Sequence, residues 1–354
     1  MTATPGSGPT ISVIMPAYNG GALIGETLES VAAQTFTDYE VLVVDDCSTD
    51  GTRDLLRHWP DPRVRLIEAP INGGPVRARN LAVAQARGRY LAALDQDDLC
   101  HPDRFGAQVA WLDTDPGCVL VATDADILED GVIEASQRPP NTTPALLAWM
   151  AMLKNPFVWS SVMIRAEAAR QFEPFSNPDR LYAEDFDLYH RLARVGRIAR
   201  IDAPLVTYRD HSGGVSKLYA DTMLASTVVV LTEAYGPALG REAEPAAFLV
   251  AEHVMATTPV PDRATLRLLG GFIGRLQAHH FATHDLSRED VTLIKWTTAR
   301  LWWKIARHAI RSGKIGVGDA VAVRPDHLGL GYAGLDDLLV SGVVGRLRSL
   351  RLGR

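Results

Sequence analysis

Short apolar segments alternate with helix-like segments through the first third of the chain. The apolar segments, which predict buried strands, cover residues 11–15, 39–44, 64–67 and 89–94. Apolar residues at helical spacing follow each of them, and the links between the segments are short. Strands that alternate with helices in this way pair in parallel through right-handed crossovers. The sequence therefore predicts an α/β fold in which helices flank a mostly parallel sheet.

Residues suited to turns and to ligands follow three of these four strands where each strand ends. They are Pro16, Ala17, Tyr18 and Asn19 after the first strand, Asp45 and Asp46 after the second, and Asp95, Gln96, Asp97 and Asp98 after the fourth, which ends at Leu94. Open α/β sheets bind ligands at this edge. Clustered carboxylates require a positive partner, and their hard oxygen atoms suit Mg²⁺ or Mn²⁺. We interpret the edge as a binding site, with a solvated acidic loop as the plain alternative.

Each of the first two motifs also has a purely structural interpretation. Tyr18 could stack on a nucleotide base or fill the core. Asp45 and Asp46 could accept hydrogen bonds from a base or a ribose. They could equally be turn residues beside a helix cap at Ser48 or Asp50. The motif GxGxxG is missing from this part of the sequence, which disfavours a nicotinamide site of the usual kind.

Two arginines, Arg77 and Arg79, lie in the first turns of the helix that follows Asn72 and Gly73. Cations are unfavourable at that end of a helix, because the helix dipole is positive there. Residues two positions apart do not share a helix face, so one arginine can face the strand-end cleft and the other can face solvent. In the cleft, an arginine would neutralise carboxylates or a diphosphate.

Further along the chain, Glu184 and Asp185 begin a predicted helix, and His211 follows a short predicted strand. Acids in the first turn stabilise a helix through its dipole, so their position has a structural explanation. One of them could instead be a general base beside a substrate hydroxyl. His211 could bind a metal or a phosphate, or it could be an ordinary surface residue.

The composition excludes several classes of protein. A net charge of −6 argues against binding to nucleic acid. Three cysteines without CxxC spacing fit a reducing compartment and argue against a disulfide framework or a zinc site. We expect no signal peptide at the N-terminus and no transmembrane helix, which would need about 20 predominantly apolar residues.

A basic segment, Lys295–Lys314, contains six Lys and Arg residues and no acid, with Trp296, Trp302 and Trp303 among them. Four of its basic residues share a helical face. Such a helix could lie on an anionic membrane, or it could pack its apolar side on the α/β domain or on a second subunit. The arginines after residue 345 are expected to form a mobile basic end.

In their order and spacing, these motifs resemble those of inverting family-2 glycosyltransferases, which have the GT-A fold. The segments that carry the resemblance are 16–19, 43–46, 72–74, 78–80, 94–98, 184–185 and 208–211. Two departures stand out. Cys47 occupies a position where such sequences commonly have Gly or Asn, and residues 169–174 lack the Gly-Gly-Tyr-like turn that often precedes the acidic pair.

The resemblance also implies a domain organisation. Residues 1–9 are expected to be a flexible lead-in, and residues 10–216 a GT-A catalytic domain. Its nucleotide-binding half would be about 10–100 and its acceptor half about 101–216. Residues 217–354 are then a C-terminal helical region outside the resemblance.

The resemblance implies a metal-dependent enzyme that moves a sugar from a UDP- or dTDP-sugar to a hydroxyl of a glycan, lipid-linked or natural-product acceptor. Asp185 would be the general base of a single inverting displacement, with Glu184 as its neighbour. Asp97 and Asp95, as a DxD motif, and His211 would hold Mg²⁺ or Mn²⁺. The donor would contact the strand-end residues Pro16, Ala17, Tyr18, Asn19, Asp45, Asp46, Asn72, Gly73, Arg79, Leu94, Asp95 and Gln96.

We expect a cytoplasmic protein, and leave open a peripheral contact with the inner face of the membrane or a homodimer through the C-terminal helices. Two other functions remain as alternatives. A nucleotidyltransferase would be expected to carry a basic Gly-rich loop after the first strand, and residues 16–21 contain no Lys or Arg. A sugar-nucleotide or polysaccharide-binding protein without transfer activity would not require Asp95, Asp97 and Asp185 together.

Overall fold

The chain divides into two compact units. The computed structural model describes residues 8–136, 142–211, 214, 218–325 and 335–352. The first unit comprises Met1–Pro144 and Pro156–Met223, and the second comprises Ala145–Asn155 and Leu224–Arg354.

The first unit contains one mixed sheet. Within the described residues its strands are β1 (Ile11–Ala17), β2 (Tyr39–Asp45), β3 (Val64–Glu68), β4 (Tyr90–Ala93), β5 (Leu99–Cys100), β6 (Cys118–Glu129), β7 (Val132–Glu134), β8 (Val162–Arg165) and β9 (Arg197–Asp210). Across the sheet the strands run in the order β3-β2-β1-β4-β8-β6-β9-β5, and β7 pairs with β6.

The four predicted strands form the parallel half of this sheet. β1 pairs in parallel with both β2 and β4, and β2 pairs in parallel with β3. β8 then runs antiparallel to both β4 and β6, whereas β6 and β9 are parallel. The α/β fold is therefore confirmed, with a sheet that becomes mixed after β4. The register places Ala17 opposite Asp45, so the carboxyl ends of β1 and β2 lie level.

Helices surround the sheet and form the second unit. Those that follow the parallel strands are α1 (Ile24–Ala32), α2 (Thr52–Arg57), α3 (Gly74–Gln85) and α4 (Arg104–Thr114). Next in the chain come α5 (Pro144–Ala151), α6 (Ala166–Ala169) and α7 (Glu184–Leu192). The second unit continues with α8 (Ala220–Leu239), α9 (Ala243–Val250), α10 (Arg263–Thr283), α11 (Arg288–Arg311), α12 (Val317–Ala322) and α13 (Leu335–Leu352).

The parallel strands are buried on both faces, as their continuous apolar sequences require. Val13, Met15, Val41 and Val43 are all fully buried. Side chains of α1 and α4 complete this core, among them Phe105, which is also fully buried. The strands are thereby fixed in position, so the loops at their carboxyl ends start from a rigid frame.

Residues 145–155 belong to the second unit, whereas the predicted boundary at residue 216 had placed them in the catalytic domain. The reason is the side chain of Trp149, which is fully buried and donates from Nε1 to Thr298 Oγ1 on α11 at 2.9 Å. A hydrogen bond between residues so far apart in the chain leaves no periodic signal in the sequence.

The basic helix α11 packs its apolar side inside the second unit. Its N-terminus is capped by Ser287, whose Oγ accepts from the Asp290 backbone N–H at 3.0 Å. Trp302 and Trp303 are fully buried and Ile310 is almost so. Protein therefore covers the apolar side of this helix, which excludes its insertion into a membrane. Arg346, Arg348 and Arg351 lie in α13, so the expectation of a mobile end was wrong for these three residues, and Arg354 lies outside the described residues.

Among the described residues, one helical stretch, Ala220–Met255, is by length and composition apolar enough to cross a membrane, since a window of 18 residues within it has a mean hydropathy of 1.2. The expectation that no segment would qualify was wrong, because the apolar residues of α8 outweigh its few polar and charged ones over a window of 18 residues. Core helices of soluble proteins share this length and composition, so the stretch is weak support for a membrane span.

Glu40 is a buried acid that joins β2 to its surroundings. Its carboxylate accepts from Ser12 Oγ at 2.8 Å, from Arg87 at 2.5 Å and from Arg65 at 3.0 Å. Burial by itself raises the pKa of Glu40, but these hydrogen bonds outweigh it and lower the pKa from 4.5 to about 2. The ionised carboxylate is therefore the form that the folded protein binds more strongly than the unfolded chain does.

We predict that Glu40→Gln lowers the free energy of unfolding at pH 7 by about 2 kcal/mol. This is less than a fully buried ion pair would contribute, because both arginines reach solvent, where water screens their charges. Because the folded-state pKa is depressed, the stabilisation is complete above pH 5 and is lost as the pH falls from about 4.5 towards 2. Urea unfolding at several pH values measures this, with Glu68→Gln, which breaks an exposed ion pair to Arg57, as the control. A difference that persists at pH 2 would contradict the assignment.

Candidate active site at the carboxyl edge of the sheet

The loop after β1 is fixed by a side chain from the loop after β4. Gln96 accepts from the Tyr18 backbone N–H at 3.0 Å and donates to the Tyr18 carbonyl at 3.0 Å. A Cβ atom at Gly20 would lie 2.1 Å from Gln96 Oε1, so only glycine allows this approach. The Tyr18 ring is not needed for the contact and is 46% exposed. It is therefore available to a ligand at the strand edge.

The loops after β1 and β2 are also joined to each other. Asn19 Oδ1 accepts from the Thr49 backbone N–H at 2.8 Å, and Ser48 Oγ accepts from the Asn19 N–H at 2.9 Å. Asn19 and Cys47 both have positive φ, 48° and 63°. Glycine and asparagine adopt this conformation most readily, which gives a physical reason why the resembled family commonly has Gly or Asn at the position that Cys47 occupies here.

The two acids after β2 hold the loops in place. Asp45 is fully buried and accepts from Arg53 at 2.7 Å. Asp46 accepts from the backbone N–H groups of Gly73 and Gly74, at 2.8 and 2.7 Å. Each carboxylate is thus used to position a loop. Contact of either acid with a nucleotide stays a prediction.

Arg79 joins two acidic segments that are far apart in the sequence. Its guanidinium donates to Glu184 Oε1 at 2.5 Å and to Asp95 Oδ1 at 3.1 Å, and it lies 4.5 Å above the Trp159 ring. The Arg79 side chain is 8% exposed, whereas Arg77 on the same helix is exposed. The helix therefore turns one arginine to the cleft and the other to solvent, as its spacing predicts.

The charges of this cluster depend on one another. Burial alone would lower the pKa of Arg79, but the carboxylates of Asp95, Glu184 and Asp185 raise it, so Arg79 stays charged. Burial raises the pKa of Asp95, and the neighbouring charge of Asp97 adds to this effect while Arg79 opposes it. The guanidinium is thus the group that allows several carboxylates to share one edge.

Asp97 and His211 meet at the end of β9. His211 Nε2 lies 3.0 Å from Asp97 Oδ2, and both side chains are partly exposed. Arg209 supports this contact, since its backbone N–H donates to Asp98 Oδ1 at 2.8 Å and its Nε donates to the Asp97 carbonyl at 2.9 Å. Of the three predicted metal ligands, the structure brings Asp97 and His211 together and pairs Asp95 with Arg79.

A complete metal site is not preassembled in the part of the chain that the structure describes. There, no group of three or more His, Cys, Asp and Glu side chains is arranged to hold an ion. Asp97 and His211 provide one carboxylate oxygen and one imidazole nitrogen. That pair suits a hard divalent ion only if water and phosphate oxygens fill its remaining positions.

Glu184 and Asp185 occupy the first turn of α7. Glu184 is buried against Arg79, and Asp185 is partly exposed, with its Oδ1 accepting from the Phe186 backbone N–H at 2.7 Å. Tyr182, just before the helix, has φ of 64° and stacks on Tyr219 with ring centroids 4.5 Å apart. The structure thus places Asp185 next to the Arg79 cluster with a face towards solvent.

Sequence reasoning missed several residues of this site. Ser160 Oγ accepts from the Asp95 backbone N–H at 2.9 Å, and Trp159 packs on Arg79. Arg209 lies inside the motif of residues 208–211, and this position was a signal that it belongs to the site. The sequence around Trp159 and Ser160 gave no such signal, because these two residues reach the site only through the antiparallel pairing of β8 with β4.

Comparison with known proteins connects this arrangement to a family. The model of the family "Glycosyl transferase family 2" matches residues 12–175. A putative glycosyltransferase of Bacillus subtilis, EpsE, is 33% identical over 54% of this chain and 69% of its own length. The chain belongs to glycosyltransferase family 2. A second relative, the UDP-Glc:α-D-GlcNAc-diphosphoundecaprenol β-1,3-glucosyltransferase WfaP of Escherichia coli, is 30% identical over 58% of this chain and 79% of its own length.

Solved structures show the same fold at low identity. Staphylococcus aureus TarS 1–349 in complex with UDP-GlcNAc aligns with a TM-score of 0.52 and 20% identity over 98% of this chain and 92% of TarS 1–349. Mannosyltransferase PcManGT of Pyrobaculum calidifontis, in complex with GDP-Man and Mn²⁺, aligns with a TM-score of 0.53 and 22% identity over 97% and 88%. The GT-A fold is thereby confirmed. The chain spans only 20% and 44% of the length of two other curated relatives.

We predict that Arg79→Met lowers the free energy of unfolding by about 3–5 kcal/mol, because Asp95 and Glu184 lose the partner of a buried ion pair. Arg77→Met removes an exposed arginine two positions away and should change stability by less than about 0.5 kcal/mol. Urea unfolding at pH 7 compares the two variants. Equal stability of both would show that the Arg79 cluster does not hold the site together.

Proposed function

We propose that this protein transfers a sugar from a nucleotide-diphosphate sugar to an acceptor hydroxyl. The observation that carries the proposal is the Arg79 cluster, in which the acids after β4 and those at the start of α7 pair with one guanidinium, at 3.1 and 2.5 Å. A donor bound at the strand edge would lie beside this cluster, next to both groups of acids. That is the arrangement a transfer reaction needs, with the leaving group on one side and the base on the other.

The donor is proposed to bind across the ends of β1, β2 and β4. The exposed Tyr18 ring offers an apolar face to a nucleotide base, and the loops around it are fixed before a ligand arrives. The remaining predicted donor contacts are proposed to come from the backbone and side chains of residues 16–19, 72–73 and 94–96. Structural neighbours that bind UDP-GlcNAc or GDP-Man support a nucleotide-sugar donor. We propose a UDP- or dTDP-sugar.

Mg²⁺ or Mn²⁺ is proposed as the metal, held by Asp97 and His211. Both side chains are partly exposed and 3.0 Å apart, and they leave most of a hard ion's positions to phosphate oxygens and water. When bound, such an ion supplies positive charge that stabilises a leaving diphosphate. Asp95 is proposed to act mainly through Arg79, to which it is hydrogen-bonded, rather than as a direct ligand.

Asp185 is proposed as the general base. It lies in the first turn of α7, with part of its carboxylate exposed and Glu184 beside it anchored on Arg79. In the proposed step, Asp185 takes the proton of the acceptor hydroxyl as its oxygen forms a bond to the anomeric carbon. The bond from that carbon to the diphosphate oxygen breaks at the same time. One displacement inverts the anomeric centre.

The acceptor is proposed to be a glycan, a lipid-linked sugar or a natural product. A glucosyltransferase that by name acts on a diphosphoundecaprenol-linked sugar is among the relatives, and this favours the lipid-linked class. We propose a cytoplasmic protein, since Cys47, Cys100 and Cys118 are all free. Peripheral membrane contact and a homodimer through the C-terminal helices are both compatible with these roles.

We predict that Asp185→Asn lowers the turnover of sugar transfer by about 10²–10⁴-fold, which is the usual worth of a general base. The amide keeps the oxygen that accepts from the Phe186 N–H, so folding and donor affinity should stay near those of the natural protein. The rate at which the glycosylated product forms measures turnover, and calorimetry measures donor affinity.

The matched control is Asp179→Asn, which makes the same change at an exposed position of the first unit. It should transfer sugar at the rate of the natural protein. Near-normal turnover of Asp185→Asn would reject Asp185 as the base. Failure of the natural protein to transfer from any nucleotide sugar in a panel of donors and acceptors would reject the proposed function itself.

A further inference from the structure

The last helix of the second unit, α13, has two opposite faces with different environments. One face packs on α11, where Leu338 is 3% exposed and Ser341 is fully buried. Ser341 Oγ accepts from Arg311 Nε at 2.9 Å and donates to the Asp337 carbonyl at 2.5 Å. A Cβ atom at Gly345 would lie 2.0 Å from the Ile310 carbonyl oxygen, so the two helices approach closely at this glycine. These contacts fix the rotation of α13 about its axis.

The opposite face of α13 carries an apolar stripe. Leu339, Val340 and Val343 are 68%, 54% and 60% exposed, and their spacing places them on one side of the helix. Isolated exposed aliphatic residues are common, but three adjacent ones on one helix face form a contact surface. Because packing of the other face fixes the helix, the stripe points away from the second unit.

The part of the chain that carries this stripe is strongly basic. Residues 295–354 contain eleven Lys and Arg and four Asp, although the whole chain has a net charge of −6. Lys304 on α11, Lys314 beyond its end and Arg346 on α13 are all exposed. The charge of the chain is therefore strongly asymmetric, and its basic part includes α13, the helix that presents the stripe, and α11, on which α13 packs. A partner that covers this surface must be negatively charged and must accept aliphatic side chains.

We propose that α11 and α13 bind the surface of an anionic lipid bilayer. Leu339, Val340 and Val343 would enter the boundary between headgroups and acyl chains, and the lysines and Arg346 would contact anionic headgroups. Interfacial helices combine a shallow apolar face with flanking basic residues in this way. Each Lys or Arg near an anionic leaflet contributes about 1 kcal/mol, so three exposed cations and three aliphatic side chains suffice for reversible binding.

A second copy of this chain fits the surface less well. A two-fold contact through the stripe would bring the same basic residues of both copies together, at a cost in repulsion. A stable dimer also buries about 800 Å² on each partner, far more than three aliphatic side chains provide. The apolar side of α11, including Trp302 and Trp303, is buried, so α11 would contribute only charge and the apolar contact with the membrane falls to α13. The proposal is independent of the transfer reaction.

Flotation of the full chain with lipid vesicles tests the proposal. Vesicles that contain phosphatidylglycerol should carry the natural protein to the top of the gradient, and pure phosphatidylcholine vesicles should not. Val343→Glu should lower the partition coefficient by about tenfold, because it removes an apolar contact and places a negative charge at an anionic surface. Lys304→Gln with Lys314→Gln should weaken binding without touching the stripe, and raised salt should do the same.

The matched control is Val132→Glu, which makes the same change of charge at a valine that is 63% exposed on β7. It should float like the natural protein. Equal flotation of Val343→Glu and Val132→Glu, or no flotation of the natural protein, would overturn the proposal. It would also be overturned if light scattering showed a dimer that Val343→Glu converts to monomer. Circular dichroism confirms that each variant is folded, and no substrate is needed.

Discussion

The ion cluster of Arg79 with Asp95 and Glu184 is the interaction on which the site depends. A guanidinium that is 8% exposed has lost most of its hydration, and its two carboxylate partners compensate for that loss. In return, its positive charge allows acids from two distant segments to approach one another. Without it, Asp95, Asp97, Glu184 and Asp185 would repel, and the loop after β4 would separate from the start of α7. The cluster thus joins the loop after β4 to the start of α7, and it allows several carboxylates to lie close together at this edge of the sheet.

Around this cluster, side chains fix the backbone of the neighbouring loops. Gln96 holds the backbone of Tyr18, Asp46 holds the N–H groups of Gly73 and Gly74, and Arg209 holds the loop that carries Asp97. Each contact joins segments that follow different strands. The edge is therefore rigid before a ligand arrives, and Tyr18, Asp97, His211 and Asp185 are among the groups that it leaves at least partly exposed. A ligand can bind them without paying the entropy of ordering the loops.

The sequence was sufficient for the parts of the fold that local pattern determines. The four parallel strands, the residues at their ends and the separation of Arg77 from Arg79 all follow from periodicities of two to four residues. Pairing across the sheet does not, because the antiparallel return of β8 beside β4 depends on contacts between residues about 70 positions apart. Trp159 and Ser160 enter the site through that pairing. The same limit applies to the second unit, where Trp149 forms its hydrogen bond to a residue of α11 far along the chain. Packing buries the apolar side of α11 and leaves an apolar face of α13 exposed, and the composition of the two helices does not predict this.

We propose that one fixed edge binds a nucleotide diphosphate and a divalent ion between Asp97, His211 and Tyr18. A crystal structure of the chain with UDP and Mn²⁺, with data collected for the anomalous scattering of manganese, tests it most directly. We expect one anomalous peak in contact with Asp97 and His211, diphosphate oxygens on the same ion, and the base against the Tyr18 ring. A manganese peak elsewhere, or a nucleotide bound away from the ends of β1, β2 and β4, would contradict it.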